Sequence, residues 1–232
     1  CQRFIAWAEQ QGAHRAAREA ALTTLAFPFG AFRTGQRPLA EAVYKTAVAG
    51  RCLLAQAPTG IGKTMGTLFP LLKAAPAQGI DKVFFLAAKT SGRQTALDAL
   101  ARLSDSTPAL PLRVLELVAR DKACEHPDKA CHGESCPLAR GFYDRLPAAR
   151  AAAVATMEGK NVPALLQARV REVALQHEVC PYYLSQELAR WADVVVGDYN
   201  YYFDLGGLLH GLAQANGWRT ALLVDDAHNL VE

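Results

Sequence analysis

The sequence is short of several things that would otherwise direct its reading. No segment approaches the roughly 20 consecutive apolar residues that span a bilayer, so no membrane-crossing helix is expected. The opening stretch, CQRFIAWAEQ, lacks the basic-then-apolar pattern of a secretory signal. A cytoplasmic, reducing setting is the expectation, and there clustered thiols suggest metal ligation before disulfides. Charge imbalance is small: the net charge is +3, which permits contact with an anionic polymer without requiring it. The six cysteines include no paired C-x-x-C knuckle. No internal repeat and no low-complexity linker is evident.

What is present is a hydrophobic fraction of 51% over 232 residues, enough for one large packed domain or one domain with an insert. The chain opens inside a helical pattern and stops at Glu232, just after a strong motif, and so reads as a piece of a longer protein. Residues 1–25 have apolar side chains at helical spacing, and Phe27 to Gly30 break that helix. A second helix is expected over Arg37 to Val48. Short apolar runs at Cys52 to Gln56, Val83 to Ala87, Val114 to Val118, Val194 to Gly197 and Ala221 to Val224 read as buried strands. Their alternation with helices, including one from about Ser91 to Leu103, predicts an α/β fold on a parallel, doubly wound sheet. Residues 120–190 interrupt the rhythm with cysteines, prolines and helical stretches such as Pro147 to Thr156, and read as an insertion.

Two motifs carry nucleotide chemistry. Residues 57–64 read APTGIGKT, a phosphate-loop pattern in which Ala57 stands where the first glycine usually does. The loop Ala57, Pro58, Thr59, Gly60, Ile61 and Gly62 would turn backbone N–H groups toward an anion. Lys63 would reach the β- and γ-phosphates of ATP, and Thr64 would hold magnesium. The competing reading is a chance Gly-Lys-Thr turn before a helix. Residues 221–229 read ALLVDDAHN, an apolar strand ending in two carboxylates. Asp225 would bind magnesium, and Asp226 would polarise the water that attacks the γ-phosphate. Here the competing reading is a strand that ends in a polar turn.

Four cysteines fall in one segment: six residues separate Cys124 from Cys131, four separate Cys131 from Cys136, and forty-three precede Cys180. Spacing alone leaves zinc and an iron–sulfur cubane both open. Charged, proline-rich neighbours argue against four buried structural thiols, and His126 and His132 read as surface residues.

Together these motifs resemble the XPD/DinG family of superfamily 2 helicases, from about Arg33 to Glu232. The Ala-for-Gly phosphate loop is common in that superfamily, and the segment from Cys180 to Asp204 closely resembles the stretch carrying the family's fourth cluster ligand. The resemblance implies a RecA-like sheet with an inserted, mainly helical domain in which Cys124, Cys131, Cys136 and Cys180 hold a 4Fe–4S cluster, zinc being the alternative. It implies that Gln36, in RTGQ, reads adenine, and that His228 couples the nucleotide site to the rest of the motor. Lys89, Thr90 and Arg93 match a motif that grips the DNA backbone, and Tyr182 is the expected exposed aromatic for base stacking. The expected organisation is a helical tail over residues 1–25, lobe segments over 26–119 and 191–232, and the cluster domain over 120–190. The implied function is ATP-driven 5′-to-3′ translocation on single-stranded or forked DNA in repair or replication, with no membrane partner; if bacterial, the protein would be nucleoid-associated. A zinc-stabilised nucleic-acid-binding module without unwinding is the alternative. Two departures stand out: Asp226 replaces the family's glutamate and is about 1.5 Å shorter in reach, and Gln186 occupies a place where the family carries an arginine.

Overall fold

A computed structural model describes residues 2–107, 110–157 and 164–230. The elements run α1 (Gln2–Thr23), α2 (Gln36–Val48), α3 (Lys63–Gln78), β1 (Lys82–Leu86), α4 (Thr90–Ser106), β2 (Val114–Glu116), α5 (Arg120–Ala123), α6 (Phe142–Ala155), α7 (Gln167–Gln176), α8 (Pro181–Leu188), β3 (Val194–Gly197), α9 (Asn200–Phe203), α10 (Leu208–Asn216) and β4 (Thr220–Val224). A 3₁₀ turn, Ala227–Leu230, closes the described chain. None of these helices is long and apolar enough to cross a membrane.

The strands form one parallel sheet in the order β2-β3-β1-β4. Period-2 alternation divides their side chains between two cores. Val83, Phe85, Val194 and Val196 face a layer built from α1 to α4. Phe84, Leu86, Leu115 and Val195 face the other layer, with Ala149 and Ala153 of α6, Val170 and Val173 of α7, Leu184 and Leu188 of α8, and Leu209 of α10. Residues 120–190 therefore supply much of one helical layer, and their apolar faces share a core with the sheet. Burying a side chain such as Phe84 completely stabilises the fold by about 1.5–3 kcal/mol.

A buried charge network ties α1 to the start of the strands. The Asp193 carboxylate accepts hydrogen bonds from Arg18 Nη1 (2.7 Å) and the Arg113 backbone N–H (2.8 Å), and lies 2.9 Å from His14 Nε2. Burial alone would push this carboxyl up. The His14 hydrogen bond and the Arg18 charge overcome that and hold it down at about 2. Nearby, burial pushes the Lys82 ammonium down to about 8, against the opposing pull of Asp193. Lys82 Nζ donates to the Arg190 carbonyl at 2.7 Å and lies 4.6 Å above the Trp218 ring.

The strand expected over Cys52 to Gln56 does not form. These residues are exposed, Leu54 to 91%, and no ladder joins them to the sheet, whose edge on that side is β4. An apolar run becomes a strand only where a neighbouring backbone takes up its hydrogen bonds. Cys52 is consequently exposed, not buried on a strand.

Candidate functional site

The phosphate loop is held from the helix side. Gly62 caps α3 in the left-handed region at φ 79, so Lys63 begins the helix and the loop meets its positive end. That φ favours a glycine there, and a Cβ would also come within 2.5 Å of Gln36 Nε2 and displace it. Gln36 is buried. Its Nε2 donates to the Gly62 carbonyl (2.9 Å), and its Oε1 accepts from the Arg33 backbone N–H (3.1 Å). Arg33 Nη1 reaches the Gly60 carbonyl at 3.1 Å. The structure thus brings Gln36 onto the loop through its own amide, and Arg33 joins it. Lys63 Nζ rests 3.5 Å from the Ala57 carbonyl, a long contact that a phosphate oxygen would readily displace. Thr64 is half-buried, and its carbonyl accepts from the Thr67 hydroxyl.

Asp225 follows β4 and donates its backbone N–H to the Leu86 carbonyl at 2.9 Å, extending the ladder with β1. Burial pushes its carboxyl up, Asp226 adds to that, and Lys63 opposes it. Lys63 and Asp225 are therefore within electrostatic reach, as a shared phosphate–magnesium site needs. A half-buried carboxylate beside a second one suits a cation in its donor chemistry. Asp226 is exposed and sits in the left-handed region at φ 51, uncommon for a residue with a Cβ. Its carbonyl accepts from the backbone N–H (3.0 Å) and Nδ2 (2.9 Å) of Asn229. His228 is exposed on the 3₁₀ turn.

At the end of β1, Lys89 and Thr90 are exposed at the start of α4, where a nucleic-acid backbone could lie. Arg93, expected at the DNA backbone with them, is turned inward. It is buried, and its guanidinium donates to the Ala87 and Ala88 carbonyls (3.0 and 3.2 Å), Thr90 Oγ1 (3.0 Å) and Asp198 (3.3 Å). Reaching a phosphate would mean breaking part of this set, and as it stands the Arg93 guanidinium braces the end of β1 against α4. Tyr182 is only half-buried to solvent, edge-on at 5.2 Å to Tyr183, and Tyr183 stands further out. Tyr199 was legible in the sequence only as one of several aromatics after β3. It is buried, and its hydroxyl donates to the Asp225 carbonyl, with the Asp226 carbonyl 3.1 Å away.

The four cysteines lie in one neighbourhood. Burial pushes the Cys180 thiol up, the thiols of Cys124 and Cys136 add to this, and the backbone N–H groups of Tyr182 and Tyr183 oppose it. Burial pushes the Tyr183 hydroxyl up as well, and Cys131 adds to it. Arg171 forks onto Glu125 (2.6 and 2.8 Å), fastening the loop beside Cys124 to α7. Four thiols are the right donors for a cluster or zinc. Among the described residues, however, no three Cys, His, Asp or Glu side chains are gathered tightly enough to hold a metal ion as they stand.

A family model described as DEAD_2 matches residues 93–232. The Regulator of telomere elongation helicase 1 homolog of Anopheles gambiae is 31% identical over 138 residues, which is 54% of this chain and 13% of that protein. Among solved structures, one described as XPD_Helicase superposes with a TM-score of 0.55 at 18% identity, covering 87% of this chain and 34% of its own. A second, described as Truncated XPD, superposes with a TM-score of 0.51 at 19% identity over 83% of this chain and 52% of its own. The chain thus spans a minor part of the relative it matches, and the two structural likenesses concern the fold.

Proposed function

This chain belongs to the DEAD_2 family, and we propose that it is the nucleotide-binding lobe of an ATP-dependent DNA helicase that moves 5′-to-3′ on single-stranded DNA and acts at forks in repair or replication. The observation that carries the reading is that Lys63, at the N-terminus of α3, lies within electrostatic reach of Asp225, just after β4, and opposes the upward push that burial gives its carboxyl.

In this reading the loop N–H groups and Lys63 bind the β- and γ-phosphates, and Gln36, which sets the loop, would turn its amide to adenine only by giving up its bond to the Gly62 carbonyl. Thr64 and Asp225 would hold magnesium, whose charge offsets that of the phosphates. Asp226 accepts the proton of the water that attacks the γ-phosphorus as the bond to the bridging oxygen breaks. Lys89 and Thr90 hold the DNA backbone, and Tyr182 with Tyr183 offers stacking surface. Residues 26–119 and 191–232 form the motor lobe in this account, and 120–190 carry the cluster. Cys124, Cys131, Cys136 and Cys180 would hold a 4Fe–4S cluster, which would staple the loop after α5 to α8.

The test uses the full-length protein, purified anaerobically. ATP turnover should rise on adding single-stranded DNA, a forked duplex with a 5′ tail should be unwound, and iron and sulfide should give visible absorption that serine at any of the four cysteines weakens. Nucleotide binding without DNA stimulation, with stoichiometric zinc in place of iron, would establish the non-unwinding binding module instead.

A further inference from the structure

The residues after β3 join two parts of the site that the motor would have to couple. The sheet order places β1 between β3 and β4, so a side chain from the end of β3 must cross the end of β1 to reach the Asp225 turn. Tyr199 does this. Its hydroxyl donates to the Asp225 carbonyl and lies 3.1 Å from that of Asp226; burial pushes its pKa up, and the nearby Asn229 side chain and Ala88 backbone N–H oppose that. Ala88 immediately precedes the exposed Lys89 and Thr90. The preceding residue, Asp198, pairs with Arg93, which grips Ala87, Ala88 and Thr90 from the other side. The packing is close: a Cβ at Gly92 would lie 3.1 Å from both Ala87 Cβ and Asp225 Oδ2. Asp226 is held in its left-handed conformation through its carbonyl, where Tyr199 and Asn229 converge. A residue with a Cβ persists there only where its surroundings enforce it.

We infer that Tyr199 is a positioning residue: its hydroxyl sets the Asp225–Asp226 turn against the end of β1, so that a DNA backbone bound at Lys89 and Thr90 changes the aim of the Asp226 carboxylate. The inference rests on the helicase reading and adds the route by which DNA stimulates hydrolysis. Tyr199 touches neither nucleotide nor DNA in this account, so its loss acts on turnover and leaves binding intact.

The experiment compares Tyr199→Phe with the unmodified full-length protein. At saturating ATP and single-stranded DNA, kcat should fall about tenfold, the effect of losing one well-placed hydrogen bond. The ratio of DNA-stimulated to basal turnover should fall toward one. The KM for ATP and the half-saturating DNA concentration should stay within about twofold, and Tm within about 4 °C. A stimulation ratio equal to that of the unmodified protein would overturn the inference. So would parallel losses in KM, DNA binding and Tm, which mark a merely structural tyrosine. If the phenylalanine variant does not fold, Asn229→Ala removes the side-chain donor on the same Asp226 carbonyl; the same kcat-without-KM loss is expected, and unchanged kcat refutes the idea. An unmodified protein with no DNA stimulation at all would instead refute the helicase reading.

Discussion

Both ends of the parallel sheet carry charged residues, and they use them in opposite ways. At the starts of the strands, Asp193, Arg18 and Lys82 are buried and take their partners from within the chain, from each other, from His14 and from backbone groups, with only Arg18 Nε left over among them. At the other end, Lys63 has one long contact to a carbonyl, and Asp225 and Asp226 crowd each other. Charges of the first kind hold elements together. In the proposed reading those of the second kind are left for a ligand, and a phosphate-bound cation would relieve their mutual repulsion. The contrast places Arg93, though it lies in a motif associated with DNA, nearer the first group: it is buried and its two terminal nitrogens donate inside the protein.

Breaking the first end should have the largest effect. Asp193→Ala leaves the buried Arg18 without its carboxylate and should lower unfolding free energy by about 3–5 kcal/mol, read by urea denaturation. At the ligand end, Asp226→Asn in the full-length protein should lower DNA-stimulated turnover by about 100-fold while ATP affinity stays within a few-fold. Asp226→Glu should maintain or raise turnover, because it restores the family's longer reach. Acid sharpens the comparison further. Because the folded Asp193 titrates at about 2, below its ordinary 3.8, its contribution is complete above about pH 4 and is lost as pH falls toward 2. The loss is about 2 kcal/mol, and Asp193→Asn should abolish this acid-dependent part. The smallest effect is expected at Cys52→Ser, which alters an exposed thiol and should change stability by less than about 0.5 kcal/mol.

The repeating elements were legible because their signals are local. β3 is Val194–Gly197, as its apolar run indicated, and the helices after the phosphate loop and after β1 follow from their spacing. Cys52 to Gln56 misled because an apolar run does not reveal whether a neighbouring backbone is available to pair with it. Residues 1–25 read as a tail, yet Arg18 and His14 find their partner in Asp193, far along the chain, which periodicity cannot show. The stretch 120–190 looked like an interruption because its cysteines and prolines break the pattern. Its helices nonetheless turn Val170, Val173, Leu184 and Leu188 toward the sheet. Within the site, Lys63 and Asp225 announced themselves by motif. Tyr199 did not, since one tyrosine among several carries no mark of which carbonyl its hydroxyl will meet.

The most direct measurement of the central claim is titration of a fluorescent ATP–magnesium analogue into Lys63→Ala and the unmodified protein, with urea unfolding measured on both. Lys63 is assigned to the ligand and not to the fold. Its loss should therefore weaken nucleotide binding at least tenfold, in line with a charge-assisted contact of about 1.5–3 kcal/mol, and leave unfolding free energy within about 0.5 kcal/mol. Unchanged nucleotide affinity, or a loss of stability comparable to that of Asp193→Ala, would contradict the account.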